Sequence, residues 1–381
     1  MIEIKEVKTR RDKKTFVNYP IKLYKDCPYY VPAVSSDEYN NFNPKKNPNL
    51  NECSYKGFLA YKNGELVGRI AGIINYADNK ITGKNYVRFS RIECIDDIEV
   101  FRALLLAVAN YGKENGMSVI HGPWGFNDTD REGMLTYGFE ERSTYSTNYY
   151  YPYFCKNIVE LGFLDESKWM EMRFKIPKES DQRIARLCER VKEKYGVREV
   201  ADTMSVKEIL SKYGDKFFET FNQGYSHLDG FVPFTDKETQ QSVLDQFAII
   251  VNTRYISILI DKNENVAAFG ICLPSICKPL IKHKGKLLPG IFEIIKSIKK
   301  PKELEMALIA VKPEYKNAGL NSIMINRIMA NIIEDGVERI ESNPMLESNL
   351  SIQQQWKPFP YDVVKRRQTY QMEIEDFIKE A

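Results

Sequence analysis

Residues 307–333 read "ALIAVKPEYKNAGLNSIMINRIMANII", and this stretch commits the chain to one local architecture. Ala307 to Val311 form a short, uninterrupted apolar run of the kind a strand covered on both faces requires. Beyond "KPEYKNAGLN", apolar residues recur at helical spacing, at Ile323, Ile325, Ile328, Met329 and Ile332. A buried strand therefore passes into an amphipathic helix through a turn with a glycine, two asparagines and one bulky apolar residue, Leu320. Units of this kind bury their apolar faces as part of a sheet with helices laid against it.

The same order of elements occurs twice. In the first half a helix over 13–25 precedes a hairpin over 57–79 that turns at Asn63-Gly64. A strand (85–94), a helix begun by acidic residues and stopped by Gly116 (96–116), a short strand (117–123) and a helix (153–163) follow. The second half repeats the order with a helix (215–225), a hairpin (255–274), a helical insertion (288–300), the strand 303–311, the turn, a helix to about Asp335, and strands at 337–342 and 361–374. The polar, proline-marked "IPKESD" at 176–181 separates them. The expected fold is an α/β (α+β) tandem of two domains, 1–178 and 179–381, each a mixed, mostly antiparallel sheet flanked by helices.

Composition removes several classes. A net charge of +3 on 107 charged residues is too balanced for nucleic acid to be the expected partner. Seven scattered cysteines without a CxxC pair argue against a zinc site or a disulfide framework, so no metal is expected and a reducing, cytoplasmic setting fits. The N-terminus lacks an apolar core of signal-peptide length, and "ALLLAVA" at 103–109 is too short to span a bilayer; no membrane partner is expected.

The turn has its own chemistry. A strand running into a helix exposes the helix's first N–H groups, and with the helix dipole these bind anions. Gly319 removes a Cβ from the approach path, Ala318 is nearly as small, Asn317 tolerates unusual dihedrals and Lys316 adds a charge. Charge-assisted hydrogen bonds contribute about 1.5–3 kcal/mol each, so three or four would hold a diphosphate with roughly 5–10 kcal/mol before association costs. An ordinary connection with a helix start at Asn321-Ser322 is the alternative.

"VKPEYKNAGLN" resembles the coenzyme A turn of the GNAT-type N-acetyltransferases, in which a strand ending V-x-P-x-[Y/H] is followed by Q/R-x-x-G-x-G/A. Lys316 stands at the Gln/Arg position and Gly319 at the first glycine, while Asn321 replaces the second small residue. The stretches "YYVP", "GRIAGIIN", "IECIDDIEV", "HGPWGFNDTDREGMLTYGF", "FNQGYSHLDGFVPFTDKE" and "ESNPMLESN" are similar to a branch of bacterial tandem GNAT proteins. The first half has "ECIDDIEVF" at the matching junction, where Asp96 and Asp97 repel phosphate.

The resemblance implies an acyl-CoA-dependent N-acyltransferase, with acetyl-CoA or another acyl-CoA as cosubstrate and a small-molecule or peptide amine as acceptor. Ile309, Ala310, Val311, Lys316, Asn317, Ala318, Gly319, Leu320 and Asn321 would hold the cosubstrate, and Asn349 would contact its pantetheine arm or simply cap a helix. Glu305, by strand parity on one face with Ala307, Ile309 and Val311, is the candidate base, with Glu341 in reserve. Trp356 stands where relatives carry a proton-donating tyrosine, so either Tyr361 or Tyr370 substitutes or the thiolate leaves unaided. His121 reads as a cleft or loop histidine, and His227 with Tyr225 and Asp229 as an acceptor pocket or loop packing. The basic stretch 278–286 reads as a solvated loop or a phosphate contact. A Fem-like aminoacyl transferase and a non-catalytic coenzyme A-binding module are the competing functions.

Overall fold

The computed structural model describes residues 1–127, 130–226, 231 and 233–380. The strands are β1 (Ile2–Glu6), β2 (Cys53–Lys62), β3 (Glu65–Asn75), β4 (Tyr86–Cys94), β5 (Val119–Gly122), β6 (Met134–Tyr137), β7 (Leu164–Phe174), β8 (Arg198–Glu199), β9 (Ile256–Ile260), β10 (Val266–Pro274), β11 (Glu303–Val311), β12 (Arg339–Ser342), β13 (Met345–Leu346) and β14 (Tyr361–Glu373). The helices are α1 (Arg10–Leu23), α2 (Ser35–Asn40), α3 (Tyr76–Thr82), α4 (Ile98–Glu114), α5 (Pro152–Glu160), α6 (Gln182–Tyr195), α7 (Val206–Tyr225), α8 (Lys237–Ile250), α9 (Cys277–Lys282), α10 (Leu287–Lys299), α11 (Leu320–Glu334), α12 (Leu350–Trp356) and α13 (Ile374–Glu380).

The strands join one continuous sheet in the order β1-β2-β3-β4-β5-β14-β7-β12-β11-β10-β9-β8, with β13 on β7 and β6 on β14. Each half repeats one pattern: an antiparallel hairpin, then a strand, a helix, and a parallel neighbour, β4 with β5 and β11 with β12. The halves then exchange their last strands. β14, from the second half, pairs with β5 of the first, Tyr370 opposite Gly122. β7, from the first half, reaches β12 of the second, Glu341 opposite Arg173. β7 and β14 also pair with each other from Tyr361↔Phe174 to Gln371↔Leu164, making the sheet's centre.

Local chemistry explains the helices that set up the sites. Asp97 caps α4 by accepting from the N–H groups of Glu99 and Val100. Ser205 and Glu208 form a capping box that opens α7. Helix α4 buries Phe101, Leu104, Leu105 and Val108 on the first half of the sheet. Helix α7 lays Phe217, Phe218 and Phe221 against Phe269 of β10 in the second. At the seam the core is ionic: Lys365 and Arg367 of β14 are buried beside Glu171 of β7.

Candidate active site

The site begins where β11 loses a neighbour. β11 and β12 pair in parallel from Glu303↔Arg339 to Met306↔Ser342. The N–H of Asn343 donates once more, to the Met306 carbonyl at 2.9 Å, and Pro344, with no N–H, follows. Ala307 to Val311 therefore continue with one edge open. Lys312 donates to the Ala267 carbonyl of β10. By alternation Ala310 also faces β10, and the N–H groups of Ile309 and Val311 face the opening. The Ile309 N–H lies 3.4 Å from the Tyr225 hydroxyl.

A bulge corrects the expected parity of Glu305. Ile271 pairs with Leu308 but Cys272 with Met306, so Ala307 is an extra residue. Glu305 thus shares its face with Leu308 and Ala310, while Met306, Ile309 and Val311 face α11. Its carboxylate is buried, and it accepts from the Tyr145 N–H (2.9 and 3.0 Å), the Ser275 hydroxyl (2.9 Å) and the Cys277 thiol (3.2 Å). Burial raises its pKa, against the pull of those donors.

The turn closes at the end of β11 with one 3-10 turn, Pro313–Tyr315. Asn317 takes φ 62° and Gly319 φ 83°, both left-handed. Leu320 is the anchor: it is buried with Ile323 and Met324 against Cys188 of α6. With its first turn so fixed, α11 presents the N–H groups of Gly319, Leu320 and Asn321, which have no acceptor among the described residues. Asn321 turns its side chain across to α12, its Nδ2 donating to Gln355 Oε1 at 2.6 Å. Asn349 caps α12 by accepting from Ile352 at 3.2 Å.

These parts face one cleft of about 1680 Å³. Ile309, Ala310, Val311, Lys316, Asn317, Gly319, Leu320, Asn321 and Asn349 all line it; Ala318 is buried against α6 instead. Its walls are largely apolar, with Met324, Ile328 and Ile332 from α11 and Val243 and Phe247 from α8. Trp356 forms part of the wall, and its indole N–H is buried with no partner among the described residues.

Other predicted residues lie elsewhere. Tyr370 sits in the core of the first half, its hydroxyl pKa raised by burial, and does not line the cleft. Tyr361 packs on Phe174. Glu341 is held by Arg173, Arg339 and Lys365. His121 bonds Glu166 at 3.0 Å behind Trp124, and burial lowers its pKa despite that carboxylate. Tyr225 lines the cleft; its expected companions His227 and Asp229 lie outside the described residues.

Among the lining residues that the sequence did not mark as part of a site are Trp124, Tyr145 and Trp169, all from the first half. The "HGPWG" motif contains Trp124, but nothing local says that it will stand against Trp169 on the wall of this cleft. The first half's own junction is closed. Asp97 occupies the start of α4 with its own carboxylate, and Lys62 binds that carboxylate at 2.5 Å. Arg69, Arg91 and Glu93 crowd the adjoining space to about 20 Å³, room for one water.

The twice-repeated order of antiparallel hairpin, strand, helix and parallel strand is that of the tandem GNAT fold, and this chain has that fold. A tandem GNAT protein from the clavulanic acid biosynthesis pathway superposes with TM-score 0.56 at 11% identity, over 98% of this chain and 99% of that one. A GCN5-related N-acetyltransferase from Sphaerobacter thermophilus gives 0.51 at 7% identity, over 98% and 96%. In sequence the chain is similar to protein YghO of Escherichia coli (strain K12), 26% identical over 375 residues, 96% of this chain and 94% of that protein. It is also similar to a bacterial ceramide synthase of Caulobacter vibrioides (strain NA1000 / CB15N), 24% identical over 361 residues, 90% of each. No family model matches the chain.

Proposed function

We propose that the protein is an acyl-CoA-dependent N-acyltransferase whose cosubstrate and chemistry belong to the second half. One observation carries this: free N–H groups at the start of α11 share a cleft with the open edge of β11. The N–H groups of Gly319, Leu320 and Asn321 would hold the pyrophosphate, with Lys316 beside them. Those of Ile309 and Val311 would bind the thioester carbonyl and the charge that develops on it. A neutral amine attacks that carbonyl carbon, the C–S bond breaks, and the thiolate leaves. Freeing an alkylamine of its proton at pH 7 costs about 4–5 kcal/mol. The proton that the nitrogen sheds as the amide forms is the one the thiolate takes up, and the Tyr225 hydroxyl, 3.4 Å from the Ile309 nitrogen, would relay it from nitrogen to sulfur.

The cleft also bears on the acyl group. It exceeds the roughly 300–1,000 Å³ typical of small-ligand pockets, and its walls are apolar. Ceramide formation joins a long-chain acyl group to a long-chain amine, and similarity to a protein of that name supports a long-chain substrate over an acetyl group.

Calorimetric titration with acetyl-CoA and palmitoyl-CoA tests this reading, followed by thiol release on adding a long-chain amine. Tighter binding of the long-chain thioester, with free thiol appearing only when amine is present, is the expected result. Failure to bind either thioester removes the proposal.

A further inference from the structure

Helix α10 carries large apolar side chains on its outer face. Leu288 and Phe292 are 87% and 84% exposed, Ile291 and Ile295 40% and 41%. Their spacing makes one continuous stripe along the helix. The inner face is already filled: Ile294 is buried with Leu280 of α9 and with Val31 and Val34 from the first half. The fold therefore has no further use for the outer stripe, and a contiguous apolar patch of this kind marks an interaction surface.

Cations surround it. Residues 278–302 contain eight lysines and one glutamate, a charge of +7; since the chain totals +3, the remainder carries −4. Lys284, Lys286, Lys296 and Lys299 are exposed, and the lone Glu293 is paired with Lys282 at 2.6 Å. An exposed Leu/Ile/Phe stripe bordered by lysines suits a bilayer interface, where the alkyl groups enter the acyl boundary and the ammonium groups meet anionic headgroups. Nucleic acid would match the charge but leave the aliphatic stripe in water, with no set of aromatic platforms for bases. A second copy of this chain would bring another +7 face against the first.

The stripe also adjoins the cleft. Asn252, just beyond α8, donates to the Ile298 carbonyl of α10 at 3.0 Å. Ile250, at the end of α8, packs in the cluster beneath α10 and lines the cleft. We infer that α10 docks the protein on anionic lipid bilayers as an interfacial helix. The inference does not depend on the reaction. Given the proposed function, docking would place the cleft beside the phase that holds a long-chain amphiphile.

Flotation of the full chain with vesicles tests the surface without reference to turnover. The comparison is phosphatidylglycerol/phosphatidylcholine vesicles against phosphatidylcholine alone. The wild type is expected to float with the anionic vesicles, with binding that falls as salt rises. The L288E/F292E variant, whose changed side chains are exposed, should keep the wild-type melting temperature and bind at least tenfold more weakly. K296E/K299E should weaken binding and reduce its salt dependence. Absence of wild-type flotation overturns the inference, as does equal flotation of L288E/F292E. A wild-type dimer that L288E/F292E converts to monomer, without flotation, overturns it in favour of a second copy. Retention on duplex DNA without flotation overturns it in favour of nucleic acid.

Discussion

Lys365 of β14 and Glu171 of β7 stand 2.8 Å apart with no exposure to solvent, one contributed by each half of the chain. Arg367 joins the same glutamate at 2.5 Å, and Lys365 also reaches Glu341 at 3.2 Å. The pair sits where the two halves exchange strands, so it reports whether the exchange has formed. Buried charges of this kind add little over a packed apolar core, but losing one partner strands the other. Glu171→Gln leaves two buried cations facing a neutral amide. It should cost about 3–5 kcal/mol, read as a lower urea midpoint at unchanged slope. A loss below about 1 kcal/mol would show that water reaches the seam.

The same network sets an acid limit. Burial opposes ionisation of Glu341, yet Lys365, Arg339 and Arg173 outweigh it and bring its pKa from 4.5 down to about 2. A carboxylate with a depressed native pKa stabilises the fold above its unfolded value, and that contribution fades as pH falls toward the native one. The interval from 4.5 to about 2 corresponds to about 3 kcal/mol. Urea titrations stepped from pH 5 to pH 2 should show stability falling throughout, with a shallower fall in Glu341→Gln. Parallel curves for the two proteins would remove Glu341 as the source.

Glu305 makes a different prediction, because three protein donors already occupy its carboxylate. We expect Glu305→Gln to leave one of them unsatisfied, lowering stability by about 1–3 kcal/mol. Since Tyr145 lines the cleft, turnover should also fall. As a positioning residue, Glu305 should leave the pH dependence of kcat/KM intact in the variant. Disappearance of the acid limb would instead make this glutamate the general base.

Much of the architecture is legible in local sequence signals. Asn63-Gly64 turns the first hairpin, Asp97 starts α4, and the 307–333 junction folds as its pattern requires. What failed was non-local. Strand β7, "LDESKWMEMRF", alternates only over Met170, Met172 and Phe174, and the polar Glu171 between them is also buried because charges nearly two hundred residues away match it. Nothing in "YDVVKRRQTYQME" says that it will cross to β5 rather than stay beside its own half. The parity of Glu305 failed for a smaller reason: one bulged residue, Ala307, reverses every face assignment beyond it, and a bulge leaves no mark in an apolar run. The turn between β11 and α11 was legible because its signals, a left-handed glycine and a helix start, are local. The opposite wall of the cleft, Trp124 and Trp169, was not, because the exchange creates it.

Gly319 separates a helix start from a binding site. Its φ of 83° costs an L-residue about 1–2 kcal/mol, while the position of an added Cβ is open, with Val191 methyls no nearer than 3.8 Å. Gly319→Ala therefore tests backbone strain alone and should lower stability by about 1 kcal/mol while preserving coenzyme A binding. Gly319→Glu carries the same strain, partly offset because a carboxylate is favourable at a helix N-terminus. The same carboxylate competes with a pyrophosphate for the N–H groups of Leu320 and Asn321 and repels it. Binding by calorimetry should then fall more than a hundredfold in the glutamate variant although both variants fold. The contrast is the test: strain is common to the two substitutions, and charge is not. Equal affinities in the two variants would mean that the free donors of α11 hold no phosphate, and the cleft would have to seat its ligand elsewhere.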